Sequence, residues 1–294
     1  MFNVDAQQFF RVVKVSSNKY QVLVNGQIVN MIARKKIKDS GKDIIVGDWI
    51  GYIVEAGQAI IVSVMDRQNS LNRPKVANID MCIAVIAEIP KPDYLALDKL
   101  SYNCVKQGIE YVLCINKMDI ATPQFLLQLQ DRFKAVCASP LRVSAKLGQI
   151  EPLLNTINGK VCCLAGQSAV GKSSIVNCLM MNECQTVGHV SAKSNRGKHT
   201  TSSSKIFNIR NGTTLVVDTP GFSLLNTMDI DANSLSKLLP EFKNYSNLCR
   251  FSTCTHTIEP CCNIINAVKE GNINKSRYDN YVTVYSDLCL KKKY

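Results

Sequence analysis

Apolar and polar residues alternate along Phe10 to Val15 and Tyr20 to Val24, and Ile28 to Ile32 follows across an Asn25-Gly26 turn, the pattern of a β-hairpin. Two more strands are predicted at Trp49 to Val54 and Ala59 to Met65, with turn signals at Gly47-Asp48 and Gly57. Five strands in fewer than 70 residues predict a small closed barrel of the OB-fold type. Arg34, Lys35, Lys36, Lys38 and Lys42 fall in one of its connections. Arg67 to Pro74, polar and closed by a proline, reads as a linker.

From Met81 the pattern changes to buried strands alternating with helices, which predicts a parallel sheet covered on its faces. Strands are expected at Met81 to Ala87, Tyr111 to Ile115, Leu141 to Val143 and Lys160 to Ala165. Helices are expected at Tyr94 to Gln107, Phe125 to Ala135, Ile150 to Ile157 and Lys172 to about Met181, with Gly108 and Gly159 as stops. After a polar stretch from Glu183 to Thr201, Ile206 to Arg210 and Thr213 to Val217 flank Asn211-Gly212 as an antiparallel hairpin. There is no internal repeat. The expected organisation is an OB-like barrel in 1–70, an α/β nucleotide-binding domain in 75–230 and a helical module in 231–294.

Composition excludes a disordered or fibrous chain: of 294 residues, 46% are hydrophobic and 20% charged. No window approaches 18 uninterrupted apolar residues and the start lacks a signal-peptide pattern, so a cytoplasmic protein with no membrane partner is expected. The net charge of +12 is uneven. Residues 76–155 carry 8 basic and 8 acidic side chains, whereas 1–75 carry 11 and 6. Residues 156–230 carry 7 and 3, and 231–294 carry 9 and 6. Positive flanks around a neutral middle favour a polyanionic partner through counterion release.

The most specific motif is Gly166-Gln167-Ser168-Ala169-Val170-Gly171-Lys172-Ser173, a G-x-x-x-x-G-K-S loop between an expected strand and an expected helix. Its glycines let backbone N–H groups wrap a phosphate, Lys172 reaches the β and γ phosphates, and the Ser173 hydroxyl suits Mg²⁺; Ser174 belongs to the same phosphate-binding run. Asn116-Lys117-Met118-Asp119 follows the strand Tyr111 to Ile115 and selects the base. The Asp119 carboxylate can accept the N1 and N2 protons of guanine, which adenine does not offer. Ser144-Ala145-Lys146, after the next strand, can present backbone N–H groups to guanine O6. Asp218-Thr219-Pro220-Gly221 ends the hairpin, where the aspartate can hold the Mg²⁺ shell and the Gly221 N–H can sense a γ-phosphate.

The base-reading motifs at 116 and 144 precede the phosphate loop at 166, the reverse of the Ras-like order. Strand ends still converge on one sheet edge, so a circular permutation preserves the site. The chain then leaves this domain directly after the γ-phosphate sensor. Thirteen cysteines are present; Cys82, Cys104, Cys114, Cys162, Cys163 and Cys178 lie in apolar segments as small hydrophobes. Cys249-x4-Cys254-x-His256-x5-Cys262 offers three thiols and an imidazole suited to one structural Zn²⁺, although Cys261 leaves the fourth ligand ambiguous by spacing.

The barrel, the permuted order, Arg196-Gly197-Lys198-His199-Thr200-Thr201, Asp218-Thr219-Pro220-Gly221-Phe222 and the cysteine-rich tail resemble the RsgA (YjeQ-type) family of small ribosomal subunit biogenesis GTPases over essentially the whole chain. The resemblance implies a monomeric GTPase that binds the 30S subunit and 16S rRNA late in assembly, is stimulated by it, hydrolyses GTP to GDP and helps release another factor. It favours Cys262 as the fourth zinc ligand, with Cys261 standing where the family has glycine. Phe222 replaces the water-orienting glutamine of Ras-type enzymes, so slow intrinsic hydrolysis is expected and His199 is implied as the water-positioning residue. His199 bonding RNA remains open, and His189 is a surface residue. Thr200 or Thr201 is the expected further Mg²⁺ ligand, Thr201 being preferred. The competing readings are a nucleotide-gated RNA-binding module with little hydrolysis of its own, and a P-loop kinase or ATPase.

Overall fold

The computed structural model describes residues 8–35, 37, 43–72, 75–137, 139–187, 205–209, 214–218 and 230–291. Strands β1 (Phe10–Ser16), β2 (Lys19–Val24), β3 (Gln27–Ala33), β4 (Trp49–Glu55) and β5 (Gln58–Val64) close into a barrel of order β1-β2-β3-β5-β4. The β3/β5 pair is parallel and the others antiparallel. Asn25 and Gly26 both have positive φ, as a two-residue hairpin between right-twisted strands requires. Val12, Val22, Met31, Ile50 and Ile61 fill the interior.

The expected linker is not one. Ser70–Asn72 (β6) and Lys75–Ala77 (β7) pair antiparallel, and Leu71 and Val76 enter the core of the following domain. The Arg67 Nε and Nη2 donate at 2.8 and 3.0 Å to the two carboxylate oxygens of the fully buried Asp48. Asn78 donates to Gly47 O at 3.0 Å. Gly47 itself has φ +92°, and a Cβ there would collide with Ala77 O. Polarity suggested an exposed connection, but a guanidinium with a buried carboxylate partner belongs to a packed seam. Gly47→Ala is therefore expected to destabilise the protein by about 2 kcal/mol or more, read as a drop in urea midpoint with unchanged m-value.

Strands β8 (Met81–Ile86), β9 (Glu110–Ile115), β10 (Leu141–Arg142), β11 (Val161–Ala165), β12 (Lys205–Ile209) and β13 (Thr214–Asp218) form a sheet of order β10-β9-β8-β11-β13-β12. Only β12 runs antiparallel to its neighbour. Alternate residues face opposite sides, so both faces must be covered. Cys82, Ala84 and Ile86 meet helices α1 (Tyr94–Gln107) and α2 (Pro123–Phe133) through Leu97, Leu100, Phe125 and Leu129. Met81, Ile83 and Val85 meet α3 (Glu151–Thr156) and α4 (Lys172–Val187) through Leu153, Ile175 and Leu179. Helix α4 continues past the expected end near Met181. Asp93 caps α1 by accepting from Ala96 N at 3.0 Å, and Gly108 at φ +65° terminates it.

The C-terminal module contains α5 (Ala232–Leu235), α6 (Lys243–Ser246), α7 (Asn263–Lys269) and α8 (Lys275–Lys291). Leu235, Leu239, Phe242, Ile264, Tyr281 and Val284 form its core, which also takes in Tyr102 of α1. No disulfide occurs among the described residues, and Cys82, Cys104, Cys114, Cys162 and Cys163 are fully buried. Burial pushes the Cys114 and Cys162 thiols up to about 12, so they behave as the apolar residues their surroundings suggest. No helix among the described residues is long and apolar enough to cross a membrane.

Candidate functional site

The parallel register brings the C-terminal ends of β8, β9 and β11 to one edge, with Ile86 opposite Ile115 and Ala165 opposite Ala84. The loop 166–171 leaves β11 and enters α4. Gly166 at φ +151° lies against Val85 O, where a Cβ would collide. Ala169 at φ +65° and Gly171 at φ +99° add two further left-handed positions to the loop, a kind of backbone that can present N–H groups to an anion. The first turn of α4 follows with Ser173 and Ser174 exposed, and a helix start is a favourable place for an anion. Lys172 Nζ donates to Gly166 O at 2.7 Å and Gln167 O at 2.9 Å, holding a cation over the loop.

The second motif touches the first directly. Asn116, 2% exposed, donates through Nδ2 to Val170 O at 2.9 Å and accepts at Oδ1 from Ala145 N at 3.1 Å. One side chain thus ties the Gly-rich loop, the N-K-M-D turn and the S-A-K loop together. Gly171 is packed so closely on the Asn116 amide that a Cβ would collide with it. Lys117 adopts φ +61°, and its Nζ donates to Ile89 O at 2.8 Å. Met118 packs on the core while its N–H bonds Val143 O at 3.2 Å. Asp119 Oδ1 accepts from Ser144 Oγ at 2.7 Å, and Lys146 Nζ lies 3.7 Å from Oδ2. The Ser144 hydrogen bond, with help from Lys146, holds the Asp119 carboxyl below the usual range, so it is an ionised acceptor at neutral pH.

His199, Thr200, Thr201, Gly221, Phe222, His189 and the basic residues Lys36, Lys38 and Lys42 lie outside the described residues. Asp218 ends β13 beside Leu164 of β11. Arg34, at the barrel, is paired with Glu55 at 2.5 Å.

Sequence reading missed a clamp on the β8–α1 connection. Gln167 accepts from Asp93 N at 2.8 Å and donates to Lys91 O at 2.9 Å, while Glu88 accepts from Thr122 N and Oγ1 at 2.7 and 2.9 Å. Thr122-Pro123 is a readable helix start, yet nothing in sequence spacing pointed to Glu88 as its partner.

A second cluster lies in the C-terminal module. Ligand atoms of Cys249, Cys254, His256 and Cys262 all lie within 4.8 Å of one another, an arrangement that can hold a metal ion. Cys249 Sγ is 3.6 Å from His256 Nδ1 and 3.9 Å from Cys262 Sγ, and Cys262 Sγ is 3.4 Å from His256 Nδ1. Cys262 is buried, whereas Cys261 is exposed and has φ +59°. The left-handed backbone suits a glycine at 261, and of the two adjacent cysteines it is Cys262 that lies in the cluster. The loop is organised by Glu259, which accepts from Thr255 N and Oγ1, both at 2.6 Å, and from Thr257 N at 3.0 Å.

The family model described as RsgA GTPase matches residues 64–228, more than half of the chain. The chain belongs to the RsgA GTPase family. Curated relatives include the small ribosomal subunit biogenesis GTPase RsgA of Agathobacter rectalis, 36% identical over 255 residues, covering 85% of this chain and 84% of the relative. The protein of the same name from Clostridium perfringens is 35% identical over 285 residues, covering 96% and 98%. Among solved structures, YjeQ from Thermotoga maritima aligns with TM-score 0.79 and 32% identity over 96% of this chain and 98% of that one. YloQ, a circularly permuted GTPase, aligns with TM-score 0.76 at 24% identity over 99% and 98%, a likeness of fold. The fold expected of the family, a permuted GTPase sheet with a barrel before it and a cysteine-histidine module after it, is the fold this chain has.

Proposed function

We propose that this protein is a cytoplasmic GTPase that binds the small ribosomal subunit late in its maturation and hydrolyses GTP to GDP and phosphate to time the release of assembly factors. The observation that carries the reading is the contact of Gly171 and Val170 with Asn116. It supports the reading that the loop at 166–171 and the motif beginning at Asn116, though reversed in sequence, serve one nucleotide. Gly166 to Ser174 would hold the phosphates, Asn116, Lys117, Met118 and Asp119 with Ser144, Ala145 and Lys146 the base, and Gly221 the γ-phosphate. Ser173, Thr201 and Asp218 would hold Mg²⁺, which would supply neutralisation of phosphate charge. Lys172 and the loop N–H groups supply charge where it develops on the transferred phosphoryl group.

Phe222 cannot hydrogen-bond an attacking water, so hydrolysis by the isolated protein is slow. His199 is the residue we assign to position that water when the subunit is bound. The barrel and C-terminal module, on the basic flanks, would grip 16S rRNA while the protein acts as a monomer. The metal of the C-terminal module would be zinc. Tetrahedral zinc with Zn–S near 2.3 Å and Zn–N near 2.0 Å puts S···S edges at about 3.8 Å and S···N edges at about 3.5 Å. The 3.9 Å S···S and the 3.6 and 3.4 Å S···N separations fit those edges. Four protein ligands leave no open position, so its role is structural.

The test is turnover of GTP and ATP with and without purified small subunits. GTP should be hydrolysed slowly alone and at least about tenfold faster with subunits. Equal use of ATP, or no response to subunits, would contradict the proposal.

A further inference from the structure

Helix α1 is fastened at one end to the nucleotide-binding motifs and along its length to the metal module. At its start, Gln167 of the Gly-rich loop holds Asp93 N and Lys91 O, and Lys117 of the base-reading motif holds Ile89 O. Asp98 lies five residues further on, about 7.5 Å along the axis, and is fully buried. Its Oδ1 accepts from Arg277 Nη1 at 2.6 Å, and its Oδ2 accepts from Asn280 Nδ2 at 2.7 Å and from Arg132 Nη2. Arg277 and Asn280 are on α8, and Arg132 is on α2, the helix that follows the base-reading turn. Arg132 also donates to Ser276 of α8, and Arg277 Nε donates to Glu241 at 2.5 Å.

From α8 the connection reaches the metal ligands themselves. Tyr278 OH donates to His256 O at 2.9 Å, and Tyr281 OH donates to Thr255 O at 2.5 Å. A continuous series of hydrogen bonds and two helices, α1 and α8, therefore joins Gln167 to the backbone of His256 in the metal cluster. Buried ion networks are demanding about geometry, because each charge needs its partner in place. A shift of α1 that broke these bonds would leave the fully buried Asp98 carboxylate without a cation and Arg132 without its carboxylate, so movement of the module with the helix is favoured.

We propose that Asp98 is the hub through which the state of the nucleotide site is transmitted to the C-terminal metal module, through α1 and α8 rather than only along the chain connecting β13 to residue 230. The proposal rests on the reading of 166–174 and 116–119 as a guanine nucleotide site. Asp98 acts as a positioning residue and touches neither nucleotide nor metal.

The test is hydrogen exchange of the full-length, metal-loaded protein with and without a non-hydrolysable GTP analogue, in wild type, Asp98→Asn and Asn280→Ala. Analogue binding is measured in parallel by fluorescence, and metal content by mass spectrometry. In wild type, the analogue should change exchange by at least about threefold in 254–258 and in α8. Both variants should bind the analogue yet lose most of that change; Asn280→Ala, which strands no charge, carries the test if Asp98→Asn unfolds. Wild-type binding with no change in the module, or a change preserved in the variants, overturns the hub alone. Failure of the wild type to bind a guanine nucleotide overturns the functional reading and the hub with it.

Discussion

Asp119→Asn should cost the protein its preference for guanine nucleotides and give it one for xanthine nucleotides. The carboxylate is ionised and held by Ser144 Oγ at 2.7 Å, and it keeps acceptor capacity for the proposed base. Two charge-assisted hydrogen bonds from the guanine N1–H and N2–H₂ are worth about 2 kcal/mol each, or about 1,000-fold in affinity together. Asparagine presents an NH₂ where guanine also presents a donor. Ser144 keeps the amide oxygen on its own side, which turns the NH₂ outward, and xanthine offers that group a carbonyl at C2. Titration of labelled GDP and XDP against both proteins checks this. The fold should be unaffected, because Asp119 is not part of the core. Unchanged GDP affinity in the variant would indicate that Asp119 does not read the base.

Cys249→Ser, or metal removal by a chelator, should unfold the C-terminal module while the nucleotide site survives. Three of the four ligand residues, Cys249, Cys254 and Cys262, also pack against the module's core, and a helical unit of this size has little apolar interior beyond that cluster. Zinc binding to such sites supplies roughly 10 kcal/mol or more of folding free energy at neutral pH, more than the module can lose. Small-subunit affinity should fall at least tenfold, since this module is one of two proposed rRNA grips. GDP affinity should change by less than about threefold, because Asn116, Asp119 and Lys172 are held by the sheet edge. Sedimentation with small subunits, alongside GDP titration, reads both quantities. Equal loss of the two, or of neither, contradicts the separation of roles.

The hub on α1 does not remove that separation. It predicts that the module senses the nucleotide through a modest coupling, and linkage makes the reverse effect equally modest.

The elements legible in the sequence were those whose periodicity and punctuation agree. The barrel strands were readable because alternation at Tyr20 to Val24 and the Asn25-Gly26 turn impose the same register. The phosphate loop was readable because its glycines sit where a Cβ would strike Val85 O or the Asn116 amide, a requirement that leaves a fixed spacing behind. Long-range polar pairs leave no such trace. Asp98 and Arg277 are 179 residues apart, and each alone reads as a solvated helix residue. Arg67 to Pro74 misled for the same reason: its polarity was visible, but the buried Asp48 that gives Arg67 a partner was not. Spacing also could not choose between Cys261 and Cys262; in the fold Cys262 lies in the cluster, whereas Cys261 is exposed at a positive φ.

The most direct measurement is a crystal structure of the protein grown with GDP. The account predicts one nucleotide per chain, with its guanine edge on the Asp119 carboxylate and its β-phosphate enclosed by the N–H groups of residues 166–173. A GDP bound with its phosphates away from that loop, or with its base away from Asp119, would contradict it.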